Sequence, residues 1–435
     1  MEGDKLMATM LALMIFIICF IFLMTEKVDR SLVAGAGGIT MLLAGVYDID
    51  AAFLEYIDWN TIALLFSMMI LISITSKTGV FEYIAIVVAK AVKGKPIPLL
   101  FVISLLTAVG SAFLANVTTV LLLVPIVLTL TKQLQLPAIP YLITVIISSN
   151  IGGTATLIGD PPNIMIGQAV EHLTFNAFLV HLAPIVIIIF VVVISGLALL
   201  YRKKLRVSLS DQKELMAIQA SQYLKKDATL VKSVLVLFLT IAGFIFHPFL
   251  HIDLTSVSMA GAVLLLLLTH NEYKTDEVLK QVEWGTLFFF IGLFLLVGGL
   301  EEVGIVDEIA RGIIYYTEGD LPKTSMLILW LTGIFSGFVD NIPFVAAMIP
   351  VIFEFQDYGM ANLDPLWWSL ALGACLGGNG TLLGSSSNLV VAGLAARAKQ
   401  HVRFTEFLKI GFPVVIVSLV IASIYVYFRY LIYFM

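Results

Sequence analysis

The chain has 435 residues, 60% of them apolar and 13% charged, with a net charge of −5 and a mean hydropathy of +1.02. A soluble domain carries about 25% charged residues, so the composition excludes one and points to a chain dissolved in a lipid bilayer, with no nucleic-acid partner. Two distant cysteines (Cys19, Cys375) and six scattered histidines without HExxH spacing give neither a disulfide framework nor a structural metal site.

Glu2 and Asp4 precede an apolar run at 7–24. A secretory leader wants a basic start and a small-residue cleavage site, so this run reads as a retained helix. Helices are expected next at 31–47 and 60–76, a shorter piece at 81–92, and paired runs at 97–110 and 117–131. The segment 140–171 is long enough to cross a membrane, yet residues 150–163 read NIGGTATLIGDPPN. Glycine and proline break a helix there, and the freed amides and carbonyls find no water in lipid. Such backbone survives at membrane depth only where it lines a cavity or binds an ion. A full span at 177–200 and a polar stretch at 201–227 follow. The order then recurs: 229–247, 255–270, 284–300, a short piece at 305–316, paired runs at 324–338 and 343–355, a broken segment at 366–396 and a last span at 407–432.

The recurrence is residue-specific. At a constant spacing of 225, Trp59 pairs with Trp284, Gly79 with Gly304, Ser111 with Ser336, Asn116 with Asn341 and Pro125 with Pro350. In the same register Gly152, Gly153, Thr156, Gly159 and Asn163 pair with Gly377, Gly378, Thr381, Gly384 and Asn388. Leucine matches would mean nothing in so apolar a chain; these do. The chain therefore reads as a duplication, with a first repeat at 1–200, a connecting loop at 201–227 and a second repeat at 228–435. Interrupted hydrophobic segments at corresponding places in two halves are the mark of a secondary transporter with its site near the bilayer midplane.

Lysine and arginine set the orientation. If the paired runs are re-entrant hairpins and the short pieces lie in the interface, each half crosses five times and the second half is inverted. All basic residues except Lys5, Arg311, Lys323 and Arg429 then share one side with the 201–227 loop. The expected protein is an all-α, multi-pass protein of the cell membrane, with both termini outside and that loop cytoplasmic.

Chemistry must come from polar groups inside the apolar segments. Two hairpin tips and two breaks supply them: Asn116, Thr118 and Thr119; Asn150, Gly152, Gly153, Thr154, Thr156, Asp160 and Asn163; Asp340 and Asn341; and Gly378, Asn379, Thr381, Ser385, Ser386, Ser387 and Asn388. Half-helix N-termini attract anions, and unwound carbonyls with Asn, Thr and Ser oxygens suit hard cations. Each half carries one carboxylate, because Ala115 aligns with Asp340 and Asp160 with Ser385. An unpaired carboxylate at membrane depth costs at least about 2.5–3.5 kcal/mol, and neither aspartate has a basic neighbour in sequence. Both are therefore expected to exchange a cation or a proton, the competing reading being a half-helix cap. Asp340 ranks first because its tip keeps the Asp-Asn pair. Blander readings hold for the Asn116 sequon, which a buried tip would hide, for Cys375 as a packing residue, and for Arg202–Arg206 as a topogenic anchor.

Ser111–Thr119, Ser149–Asn163, Asp340–Pro350 and Gly373–Asn388 together resemble the ion transporter superfamily, in particular the ArsB/NhaD permease branch with its P-protein-like members and its relation to citrate and divalent-anion/sodium symporters. The resemblance implies an inverted-repeat fold with a scaffold and a mobile transport domain, and a homodimer. It implies no cofactor beyond bound Na+, for which Asn116, Asp160, Asp340 and Asn341 are the candidates. It pairs Asn116 and Thr118 with Gly152, Thr154 and Asp160, and Asp340 and Asn341 with Gly378, Asn379 and Thr381. Ala115 departs from the Asp found there in P-protein-like members.

No arginine lies in the four polar elements, which favours a small ion coupled to Na+ or H+, by Na+/H+ antiport or arsenite-type efflux, over a citrate-type di- or tricarboxylate carrier. An intramembrane protease fits less well, because residues 157–160 lack the Gly-x-Gly-Asp pattern.

Overall fold

The computed structural model describes residues 2–25, 27–225 and 227–432. Among these the regular structure is helical throughout. The first half contains α1 (Glu2–Thr25), α2 (Arg30–Leu43), α3 (Trp59–Ser76), α4 (Val80–Ala91), α5 (Pro96–Phe113), α6 (Asn116–Gln133), α7 (Ala138–Gly153), α8 (Pro161–Ala169) and α9 (Ala183–Tyr201). The second contains α10 (Ala228–Leu250), α11 (Leu254–Leu268), α12 (Trp284–Glu302), α13 (Ile305–Thr317), α14 (Leu321–Ser336), α15 (Asn341–Glu354), α16 (Asp364–Gly377), α17 (Ser386–Arg397) and α18 (Phe404–Val426). Each of these nine helices of the first half thus has a counterpart nine places on, while the short helices Ile49–Ala51, Phe175–His181 and Thr275–Leu279 stand outside the pairing. Sequence reading did not anticipate the short helix Leu209–Ala217 inside the connecting loop.

Local chemistry explains where these helices start. Asp29, Asp58, Asp227, Asp253 and Asp320 each accept a hydrogen bond from a backbone N–H in the first turn of the helix that follows, satisfying donors the helix cannot. Gly79 and Gly304 enter α4 and α13 at φ +75° and +78°, a left-handed conformation glycine adopts without strain. At Gly79 there is a second reason: a Cβ would lie 1.8 Å from the Tyr223 carbonyl oxygen. The connecting loop is strapped there, with Lys225 N bonded to Thr78 O at 2.9 Å and Lys90 Nζ to Ile218 O at 2.6 Å.

Eight helices of the described residues are long and apolar enough to cross a membrane, both arms of the first hairpin included. The bilayer would meet α1, α9, α10 and α18, where Ile17, Ile188, Phe238 and Ile424 lie exposed. At the centre stand α7 and α16, buried on nearly every side, with the polar Thr144, Ser148, Ser149 and Asn150 on α7 and Ser369 on α16 buried as well.

The halves interlock by exchange. Helix α2 packs on α12, and its counterpart α11 packs on α3. The outgoing hairpin arm α6 packs on α17, and its counterpart α15 on α8. Each break is thereby clasped by its own half's incoming hairpin arm and by the other half's outgoing one.

Candidate functional site

The breaks are held open by side-chain amides. Asn163 Nδ2 donates to the carbonyls of Gly153, Thr154 and Thr156 at 3.3, 3.2 and 2.9 Å. Asn388 Nδ2 does the same for Gly378 and Thr381 at 2.7 and 2.9 Å. Thr154 Oγ1 donates to Asn150 O at 2.7 Å, and the Thr156 hydroxyl reaches across to Ala112 O. These contacts satisfy carbonyls that have lost their helical donors, with no solvent to replace them. Glycine is required where the break folds back. A Cβ on Gly159 would sit 2.5 Å from Gly153 O and 2.8 Å from Ser111 O, and one on Gly384 2.8 Å from both Gly378 O and Ser336 O.

The two carboxylates occupy different environments. Asp160 is fully buried. Its Oδ1 accepts from Asn116 Nδ2 at 3.1 Å and its Oδ2 from Asn341 Nδ2 at 3.2 Å, so one carboxylate joins the tips of both hairpins. The Asn116 amide is oriented by Val117 N–H, which donates to its Oδ1 at 2.8 Å. Asp160 precedes α8 but makes no capping hydrogen bond. Asp340 does cap: its Oδ1 accepts from Ile342 N at 3.1 Å. Its Oδ2 accepts from Ser386 Oγ at 2.8 Å and pairs with Arg30 Nη1 at 3.1 Å.

Arg30 comes from α2, outside the four polar elements. Its guanidinium also bonds Ser386 Oγ, reaches Thr286 Oγ1 at 3.3 Å and lies 5.0 Å over the Phe289 ring. Thr286 in turn donates to Glu283 at 3.1 Å.

A third polar group lies between the breaks. Asn150 Nδ2 donates to Asn379 Oδ1 and Asn388 Oδ1, both at 3.0 Å, and Ser387 Oγ donates to Asn150 Oδ1 at 3.2 Å. Ser385 and Ser387 bond each other at 3.0 Å. The Asn150–Asn388 contact has a counterpart: Cys375, which aligns with Asn150, donates to Asn163 Oδ1 at 3.5 Å. Exchanging the halves maps one contact onto the other.

Two cavities approach these groups from opposite ends of α12. One of about 580 Å³ is lined by Lys27, Arg30, Glu283, Asp340 and Ser386. The other, about 330 Å³, is lined by Glu55, Asp58, Glu301 and Glu354. Leu121 and Val390 in the first align with Ala346 and Met165 in the second, so corresponding residues face opposite ends.

The chain matches the citrate transporter family over residues 20–373. The chain belongs to the citrate transporter family. It is 38% identical over 430 residues to an uncharacterized transporter of Mycobacterium tuberculosis, covering 97% of this chain and 99% of that one. It is 38% identical over 429 residues to a 46 kDa membrane protein of Mycobacterium leprae, covering 98% and 99%. It is 33% identical over 481 residues to the human P protein, covering 92% of this chain and 57% of that longer one. The solved structure of the Alcanivorax borkumensis YdaH transporter shares the fold, with a TM-score of 0.57 at 13% identity over 96% of this chain and 97% of that one. This member of the citrate transporter family is thus a multi-pass membrane transporter and not an enzyme, which removes the protease alternative.

For this family member the structure draws the sequence-selected residues into two groups. Asn116, Asp160 and Asn341 meet at the joined tips. Asn150, Asn379, Ser385, Ser387 and Asn388 meet between the breaks. Gly152, Gly153, Thr154, Thr156, Asn163, Gly378 and Thr381 shape or brace the breaks. Thr118 and Thr119 lie on the first turn of α6, and the buried Thr119 hydroxyl and Asn379 Nδ2 have no partner among the described residues. The implied second grouping does not form as drawn, because Asp340 turns to Arg30 and Ser386 while Asn341 turns to Asp160. Sequence reading missed Arg30. Its only signal is a cation at the very start of an apolar helix, and that resembles a topogenic charge. The absence of a central base, which favoured purely cationic chemistry, does not hold in three dimensions.

Proposed function

We propose that the protein is a secondary active transporter that moves a small ion by alternating access, with Asp160 as the group that exchanges the coupling Na+ or H+. One observation carries this reading: a fully buried carboxylate with no basic partner is held by the Asn of both hairpin tips. Burial disfavours its charge, so it binds a proton or a cation in its place. Both amides present N–H to it, which suits a carboxylate that takes up and releases a proton. A sodium ion would need one amide to turn its oxygen inward. The two cavities at opposite ends of α12 support alternation about this point.

Among substrates, the citrate-type di- or tricarboxylate is favoured over arsenite or sodium alone. Arg30 and Lys27 line the larger cavity, and guanidinium recognises carboxylate by paired hydrogen bonds. Neutralising Asp340 would release Arg30 to a substrate carboxylate, so cation and anion would bind together. The reading includes an inverted pair of repeats, a homodimer, outside termini and a cytoplasmic 201–227 loop. Proteoliposome flux with sodium, protons, citrate and arsenite tests it. Citrate uptake driven by a sodium or proton gradient is expected; gradient-independent flux of every probe would reject coupling.

A further inference from the structure

The 201–227 end of the protein holds a third concavity, unconnected with the transport groups. It measures about 450 Å³ and lies between the end of α9 and the start of α18. Lys204, Arg403 and Lys409 line it, and none of the three side chains makes a hydrogen bond or ion pair among the described residues. The first turn of α18 opens there, and its N-cap residue, Arg403, provides no side-chain hydrogen bond. The N–H groups of that turn and the helix dipole favour an anion.

An independent feature points to a ligand. Tyr201, the last residue of α9, is only 5% exposed and lines the same concavity, yet its hydroxyl has no hydrogen-bond partner among the described residues. A buried phenol normally has one. Three unpaired cations, a helix N-terminus and an orphan hydroxyl converge, opposed by one carboxylate, Glu406. The concavity lies at the end of the apolar helix α9. Below it runs a stripe of exposed apolar side chains on α9, through Leu199, Val192 and Ile188.

We propose that this concavity binds a phosphate group, namely the headgroup of an anionic phospholipid whose acyl chains lie along α9. Tyr201 donates to a phosphate oxygen, Arg403 and Lys409 supply charge-assisted hydrogen bonds, and the α9 stripe packs on the chains. Basic pockets between membrane helices are suited to such headgroups. Because α9 and α18 close the two halves and pack on each other, the lipid would bridge them.

Native mass spectrometry of the purified full-length protein tests this, with phosphatidylglycerol, phosphatidylcholine and inorganic phosphate as separate probes. Phosphatidylglycerol is expected to be retained over phosphatidylcholine. Each of Lys204→Gln, Arg403→Gln and Lys409→Gln should weaken it roughly five-fold. Tyr201→Phe should weaken it without altering secondary structure, Lys409→Arg should retain it, and Glu406→Gln should strengthen it, which guards against loss through misfolding. Competition by millimolar inorganic phosphate, with no retained lipid, would keep the phosphate chemistry and assign a soluble source. Equal retention of both lipids, or lipid binding unchanged in Arg403→Gln, Lys409→Gln and Glu406→Gln, would overturn the proposal.

Discussion

Asp160→Asn separates a structural bracket from an exchanging group. The carboxylate offers two acceptor oxygens to two amide donors, at 3.1 and 3.2 Å. Asparagine offers one, and its own NH2 then faces another NH2. The lost charge-assisted bond costs about 1.5–3 kcal/mol. Removing a charge from membrane depth is favourable by about 2.5–3.5 kcal/mol. The two nearly offset, so the variant is expected to fold with stability within about 2 kcal/mol of the parent. Function should not survive, because an amide neither takes up a proton nor carries the negative charge that draws a coupling cation. Citrate and sodium flux in proteoliposomes should fall to the background of empty vesicles across the pH range. A thermal melt supplies a second readout. A cation at 100 times its Kd stabilises a protein by about 2.7 kcal/mol, so sodium or lowered pH should raise the parent's Tm and leave the variant's unmoved. Parental flux with parental sodium and pH dependence in Asp160→Asn would show that this carboxylate only brackets the hairpins.

Arg30→Gln should abolish citrate binding, whereas Asp340→Asn should keep or tighten it, because the guanidinium is released from its ion pair. The double variant should bind like Arg30→Gln, with a coupling energy of about 0.5–3 kcal/mol; strictly additive effects argue for a surface ornament. Cysteines placed in 48–58 and 356–364 should react with impermeant reagents outside sealed right-side-out vesicles, and those in 203–225 should not; strong labelling of the latter reverses the topology. Spin labels on α5–α8 and α14–α17 should change distance to labels on α2 and α11 between sodium-citrate and choline conditions; unchanged distances across that boundary dismiss a moving transport group.

Much of the architecture was legible because it is carried by residues with local consequences. Gly79 and Gly304 mark helix entries, and residues 150–163 cannot continue a helix, whatever surrounds them. The repeat register then matched the longer helices of the second half to those of the first, although the short helix Thr275–Leu279 was not foreseen. What could not be read was contact between segments distant in sequence. Asp160 and Asp340 both read as unpaired carboxylates, with Asp340 ranked first, but one is claimed by two asparagines and the other by an arginine 310 residues away. Under the proposed function this reverses their ranking, with the buried Asp160 as the exchanging group and Asp340 as part cap and part ion pair. Cys375 looked like filler because its polar contact, Asn163, belongs to the other half.

The Asn150–Asn388 and Cys375–Asn163 contacts bear on direction. Under the inverted-repeat reading, halves that were chemically identical would make the inward- and outward-facing states mirror exchanges of each other, equal in free energy and equally populated. An amide pair on one side and a thiol–amide pair on the other remove that degeneracy, as do Asp160 against Ser385 and Asp340 against Ala115. A resting preference for one side of the membrane is then written into these three differences between the halves, before any gradient acts.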